Sequence, residues 1–70
     1  MNLIVENGTS VVLVCTVDPV TEVDGMYQIN GVNAGIPAAT ASIVVADTSP
    51  SFFYPQVYTY IDGVWTVVDQ

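Results

Sequence analysis

Four Asn-Gly or Asp-Gly dipeptides separate short runs rich in Val, Ile, Thr and Tyr along this 70-residue sequence. A two-residue hairpin loop of type I′ needs positive φ at both positions, and Asn or Asp followed by Gly meets that need at little cost. β-branched and aromatic residues favour strands, and leucine, a strong helix former, occurs only at Leu3 and Leu13. The pattern predicts a small all-β fold, an antiparallel β-sandwich or open β-barrel built from hairpins, with about five to seven strands.

The turn signals also set the bounds of the predicted strands, which are residues 3–6, 9–17, 26–29, 42–46, 56–61 and 64–69. Both faces of the second strand should be covered, because residues 11–17 are apolar apart from Thr16. Residues 20–25 are expected to form a polar connection, and Gly35 and Pro37 predict a loop over residues 34–39. Residues 47–51 form a turn cluster, and Asn30-Gly31 should bring Ile29 and Val32 together.

The first and last dipeptides predict specific cross-strand pairs. A two-residue loop at Asn7-Gly8 gives three pairs: Glu6 with Thr9, Val5 with Ser10, and Ile4 with Val11. The loop at Asp62-Gly63 gives four: Ile61 with Val64, Tyr60 with Trp65, Thr59 with Thr66, and Tyr58 with Val67. Neither face of the last hairpin is polar, so we expect it to lie between the core and a partner.

Size and composition favour one domain, residues 1–70, that gains stability from other subunits. A domain of this length buries only roughly 60% of its unfolded surface, yet 51% of the residues are hydrophobic. Cys15 is the only cysteine, so no internal disulfide can form, and its apolar surroundings predict a small buried side chain rather than a reactive thiol. No basic segment precedes an apolar stretch, which predicts no signal peptide. We therefore expect a homo-oligomer or a subunit docked on a larger body.

The sequence contains no lysine, arginine or histidine, and its formal net charge is −7. Without cationic side chains we expect binding to neither nucleic acid nor an anionic membrane. Serine and threonine have no basic side chain to activate them, so we expect no catalytic residue, no cofactor and no enzymatic activity. No Cys/His cluster is available for zinc, and we expect no metal site. The carboxylates instead predict partners with basic surfaces.

Two groups of residues are candidates for partner contacts. Asp18, Glu22 and Asp24 could offer oxygens to calcium, but the EF-hand spacing is not met. We favour a solvated acidic loop that faces a partner. The second group is aromatic and crowds the last nineteen residues: Phe52, Phe53, Tyr54, Tyr58, Tyr60 and Trp65. These rings fit an interface and fit the core of a small sheet equally well, and in an oligomer both roles can hold.

Two stretches of the sequence, residues 3–9 and 58–68, resemble segments of known protein families. Residues 3–9, Leu-Ile-Val-Glu-Asn-Gly-Thr, are similar to the start of a family of head–tail adaptor proteins, which continues into charged helices that this chain lacks. Residues 58–68, Tyr-Thr-Tyr-Ile-Asp-Gly-Val-Trp-Thr-Val-Val, look like the closing hairpins of small phage tail, fibre and decoration proteins. The resemblance implies a structural virion protein, a capsid decoration or cement subunit whose partners are other capsid or tail subunits. The alternative is a tail or fibre adhesin that binds a glycan or receptor through Tyr58, Tyr60 and Trp65.

Overall fold

A computed structural model describes residues 1–68 and contains eight strands. Their bounds are β1 Asn2–Glu6, β2 Val12–Thr16, β3 Val20–Val23, β4 Met26–Ile29, β5 Val32–Pro37, β6 Ala41–Val45, β7 Tyr58–Ile61 and β8 Val64–Val67. The strands form three antiparallel sheets that do not close on themselves. The predicted all-β class and its open, hairpin-built arrangement are confirmed. Within residues 1–68 no helix is long and apolar enough to cross a membrane.

The three sheets have the strand orders β2-β1-β6, β3-β4-β5 and β7-β8. The first sheet joins β1 to a strand far along the chain, with Asn2 opposite Val45 and Glu6 opposite Ala41. The hairpin β7-β8 docks against the outer edge of β2, where Val11 and Thr59 form a bridge. The Tyr60 amide also donates to the Ser10 carbonyl (3.1 Å), and the Gln56 amide to the Val12 carbonyl (3.0 Å). Sheet one is therefore partly covered at its β2 edge, while β6 forms its other edge.

Strand β1 is the centre of the molecule, because its two faces contribute to two different core clusters. Leu3 and Val5 lie in the first cluster with Val12 and Ala46, and Ile4 lies in the second with Tyr27 and Ala41. Strand β2 shares this property. Val12 and Cys15 pack in the first cluster, and Leu13 and Val14 pack in the second, so both faces of β2 are covered as expected. The covering does not extend to Val17, which is 79% exposed.

The first hairpin differs from the prediction. Its loop has four residues, closed by a 2.8 Å hydrogen bond from the Glu6 amide to the Val11 carbonyl. The predicted pairs Glu6–Thr9, Val5–Ser10 and Ile4–Val11 are wrong, since Val5 lies opposite Val12 and Ile4 opposite Val14. The cause lies in β6. The Asn7 amide donates to the Thr40 carbonyl (2.9 Å) and continues the β1–β6 pairing, so Asn7 does not take the positive φ of a type I′ loop. Positive φ occurs instead at Gly8 (86°) and Ser10 (62°).

Two segments predicted as connections are strands. Residues 20–25 hold β3 and the turn Asp24-Gly25, whose φ values of 52° and 78° are those of a type I′ loop. Residues 34–39 lie mostly in β5, which carries Gly35 and Pro37 next to an irregularity in its pairing with β4. An edge strand tolerates glycine and proline that a central strand excludes. Each segment has one apolar side chain, Val20 or Ile36, that packs on the second cluster. This packing outweighs the weak preference of both segments for strand structure.

Two of the remaining turn predictions are confirmed, whereas residues 47–51 contain bends but no hydrogen-bonded turn. Ile29 lies opposite Val32 across the Asn30-Gly31 turn. All four predicted pairs of the last hairpin occur, from Tyr58 with Val67 to Ile61 with Val64. The predicted end of that strand at Asp69 lies outside the described residues.

Candidate interaction surface

Four of the six aromatic residues singled out from the sequence pack on one another. We call them the aromatic cluster: Phe53, Tyr58, Tyr60 and Trp65. The Trp65 ring lies edge-on to Tyr58, with 5.8 Å between centroids, and its centroid is 5.1 Å from that of Tyr60. Phe53 stacks on Tyr58 at 6.1 Å. These separations and angles are those of favourable aromatic pairs.

Hairpin register explains how these rings meet. Tyr60 lies opposite Trp65 and Tyr58 opposite Val67, so three aromatic side chains share one face of β7-β8. Two hydrogen bonds then tie the chain between β6 and β7 to this face. Trp65 Nε1 donates to the Thr48 carbonyl and the Tyr58 hydroxyl donates to the Phe52 carbonyl, both at 3.0 Å.

The structure divides the predicted aromatic group by burial. Phe53, Tyr60 and Trp65 pack against the first core cluster and are partly buried. Phe52 and Tyr54, in contrast, are 75% and 60% exposed. The aromatic cluster thus belongs to the core of the molecule, and the rings free for a partner are those of Phe52 and Tyr54.

Further apolar side chains lie at the surface, and several are neighbours. Ile61 and Val64 face each other across the last hairpin, and Ile43 and Val45 lie on the same face of β6. Counted over residues 1–68, ten large hydrophobic side chains are exposed: Val17, Val23, Val32, Ile43, Val45, Phe52, Tyr54, Ile61, Val64 and Val67. Only seven hydrophobic residues are buried in the same part of the chain.

Three predicted acidic residues lie along or beside the edge strand β3, and we call them the acidic edge: Asp18, Glu22 and Asp24. All three are exposed. Asp18 precedes β3, and its carbonyl accepts a 2.9 Å hydrogen bond from the Asn2 side chain. Asp24 lies in the turn after β3 and has a positive φ, so it does not continue the extended strand that holds Glu22. Among residues 1–68 no three Cys, His, Asp or Glu side chains are grouped to hold a metal ion.

Cys15 is partly buried beside the first core cluster. Burial raises the pKa of its thiol above the ordinary value of 9.0, and the nearby Met1 ammonium opposes that shift. A raised pKa lowers the thiolate fraction near neutral pH, which matches the role of a small core side chain.

The outer edge of β6 was not predicted as a functional feature. The sequence feature that could have indicated this edge is the charge pattern. Residues 25–46 contain no charged side chain and form the longest such stretch in the sequence. The part of the chain that the structure describes has no enclosed pocket. No protein-family model, curated protein or solved structure matches this chain.

Proposed function

We propose that this chain is a structural protein of a bacteriophage virion, a capsid decoration or cement subunit that stabilises the shell by protein–protein contacts. The observation that carries the proposal is the ratio of ten exposed to seven buried hydrophobic side chains within residues 1–68. A small domain with this much neighbouring apolar surface gains stability when a partner covers it.

The exposed rings suit the apolar centre of such a contact. Phe52 and Tyr54 are exposed on the segment that hydrogen bonds from Tyr58 and Trp65 tie to the hairpin. Aromatic residues dominate binding energy at interfaces when their surroundings exclude water. Because the aromatic cluster fixes the segment, little ordering is needed on binding.

The acidic edge suits the outer part of the contact. The sequence contains no Lys, Arg or His side chain that could pair with these carboxylates. A shell subunit with a basic surface would neutralise Asp18, Glu22 and Asp24, and would attract the chain over a distance of about one Debye length. Charge of this kind sets the rate and specificity of docking more than its final strength.

The alternative, a glycan-binding adhesin, has less support. It relied on Tyr58, Tyr60 and Trp65 offering their ring faces to a sugar, and these rings pack on one another and on Phe53. Phe52 and Tyr54 are open to solvent, but no pocket with convergent polar groups accompanies them in residues 1–68.

The test adds the purified chain to capsids that lack it and measures co-sedimentation and the temperature at which the shells open. We expect saturable binding and a higher opening temperature. Two triple variants, each removing three negative charges, separate the acidic edge from overall charge. D18N/E22Q/D24N should bind about tenfold more weakly at low salt, whereas E6Q/D47N/D62N, on other elements, should bind nearly as well as the parent chain.

A separate variant pair tests the apolar contact. F52S/Y54S removes exposed rings and should abolish shell binding while leaving the folding of the chain intact. Absence of any binding to capsid or tail subunits would overturn the proposal. Binding to an oligosaccharide that F52S/Y54S or Trp65→Ala abolishes, with assembly unaffected, would favour the adhesin.

A further inference from the structure

The outer edge of β6 offers unpaired backbone groups. The β1–β6 pairing is bounded by two hydrogen bonds, from the Asn7 amide to the Thr40 carbonyl and from the Ala46 amide to the Met1 carbonyl. Because backbone groups alternate in direction along an antiparallel strand, the amides and carbonyls of Ser42 and Val44 point toward β1. The amides and carbonyls of Ile43 and Val45 therefore point away from the sheet.

A side-chain contact supports this assignment independently. Ala41 lies two residues before Ile43 on the same strand, so its carbonyl should also point away from β1. That carbonyl accepts a 2.7 Å hydrogen bond from the Tyr27 hydroxyl on the second sheet. The second sheet thus covers the edge at Ala41, and within the described residues β6 has no neighbouring strand beyond that point.

The β6 edge lacks the features that normally prevent strands from pairing between molecules. Its residues, Ala-Ser-Ile-Val-Val, include no proline, glycine or charge, and its register with β1 is continuous. The outer strands of the second sheet have such features, because Glu22 lies in β3 and β5 contains Gly35 and Pro37. Strand β8 is also uncharged, but it is only four residues long. Natural proteins protect edges in these ways, and an unprotected apolar edge is a site for strand addition.

We propose that β6 pairs with β6 of a second copy of this chain, antiparallel and centred on Val44. In this register Ile43 lies opposite Val45 of the second copy, and Val45 lies opposite Ile43. Four backbone hydrogen bonds form, and they use the outward amides and carbonyls of both residues in both copies. The two β2-β1-β6 sheets become one six-stranded sheet with two-fold symmetry.

Side chains favour this pairing as well. Ile43 and Val45 are 42% and 73% exposed and lie on one face of β6, so each pair across the new interface joins two β-branched side chains. Such pairs stabilise antiparallel strands. The second copy covers apolar surface that the single chain leaves in water.

The absence of charge along β6 favours a second copy of the chain over a basic partner at this edge. The molecule is strongly acidic, but residues 25–46 carry no charge, so a cationic strand would find no carboxylate on β6 to pair with. In the register centred on Val44, Asp47 lies opposite Ala41, and no carboxylate faces another. Two acidic copies can therefore meet here without direct repulsion. The inference rests on the proposed assembly function and names one of its interfaces.

The experiment is sedimentation velocity of the purified full chain over a wide concentration range, with two charge-matched variants. Val45→Asp and Val64→Asp each add one negative charge at an exposed valine, on β6 and on β8. We expect a monomer–dimer equilibrium that Val45→Asp weakens by at least about tenfold and Val64→Asp leaves within about twofold of the parent. Val45→Lys replaces Val45→Asp if the latter does not fold.

Amide hydrogen exchange gives a second readout by residue. The Ile43 and Val45 amides should exchange fast in dilute solution and at least about tenfold more slowly at concentrations that form the dimer. The Ser42 and Val44 amides, bonded to β1, should be protected at both concentrations. A chain that remains monomeric, a dimer that Val64→Asp weakens more than Val45→Asp, or unchanged exchange at Ile43 and Val45 would overturn the inference. A monomer that still binds the shell refutes only this interface, and a β6 dimer that binds no shell refutes only the proposed function.

Discussion

The Tyr27 hydroxyl donates a 2.7 Å hydrogen bond to the Ala41 carbonyl and so joins the two three-stranded sheets. Tyr27 belongs to β4 and Ala41 to β6, and both are buried in the second core cluster beside Ile4. This one bond therefore satisfies a buried backbone oxygen and aligns the covering sheet on the central one.

Tyr27→Phe should lower the free energy of unfolding by about 1–3 kcal/mol, because the ring stays in place but a buried carbonyl loses its donor. Urea unfolding followed by tryptophan fluorescence measures the change. The control is Tyr58→Phe, which removes an exposed hydrogen bond to the Phe52 carbonyl. An equal or larger loss in Tyr58→Phe would contradict the assigned role of Tyr27.

Ile4→Val should cost about 0.5–1.5 kcal/mol, since Ile4 is fully buried at the centre of β1. The same substitution at Ile43, its cross-strand neighbour, serves as control, because that side chain is 42% exposed. Ile43→Val should cost clearly less when measured at a concentration at which the chain is monomeric. Equal losses in the two variants would show that the second sheet does not cover Ile4 as described.

Gly31→Ala should destabilise the chain by about 1–2 kcal/mol through backbone strain alone. The φ of Gly31 is +81°, and a Cβ there would meet no atom within 4 Å. Asn30→Gly, at the preceding turn position with φ of 52°, is the matched control and should change stability by less than about 1 kcal/mol, because both residues tolerate positive φ. Thermal unfolding monitored by circular dichroism distinguishes the two. A neutral Gly31→Ala would rule out the type I′ geometry.

Cys15 should make stability fall as the solution becomes strongly alkaline. Burial raises the pKa of its thiol in the folded chain above 9.0, so the folded state holds the proton more tightly than the unfolded state. The resulting stabilisation is complete below the unfolded pKa and is lost as pH rises through the folded pKa. The measurement is the difference in unfolding free energy between the parent and Cys15→Ala from pH 7 to 11, because the contributions of groups common to both chains cancel in that difference. A difference that grows with pH would contradict the shift.

Sodium chloride should stabilise the isolated chain, because salt screens repulsion among carboxylates that have no cationic side chain to pair with. A gain of about 0.5 kcal/mol would raise Tm by roughly 2–4 °C in a domain of this size. Differential scanning calorimetry at low and moderate salt measures the effect. D18N/E22Q/D24N, with three fewer charges, should respond less, and a Tm that falls with salt in the monomer would contradict the argument.

Local turn chemistry predicted those parts of the fold that form between near neighbours in sequence. The Asp62-Gly63 hairpin and the Asn30-Gly31 turn occur as expected, because two-residue loops fix the register without help from elsewhere. The Asn7-Gly8 loop failed for the opposite reason. Its first residue is held by Thr40, and no local pattern around Asn7 signals a partner that distant.

The candidate surface was predicted in part for a related reason. Strand alternation placed Tyr58, Tyr60 and Trp65 on one face, and they do meet. Strand alternation does not indicate which face of a hairpin the core covers, so the division between partly buried Trp65 and exposed Phe52 follows only from the packing of β7-β8 on β2. The open edge of β6 depends on strand order, which hairpin signals leave undetermined.

The pairing of β1 with β6 has a consequence for the time course of folding. The hairpin β1-β2, the meander β3-β4-β5 and the hairpin β7-β8 each join adjacent segments, whereas β6 must find Asn2 to Glu6 across the whole intervening chain. Closing that long loop requires a large loss of chain entropy, and contacts of high sequence separation slow folding. We expect the local hairpins to form and dissolve many times before β6 arrives, and its arrival to bring both core clusters together in a single cooperative step.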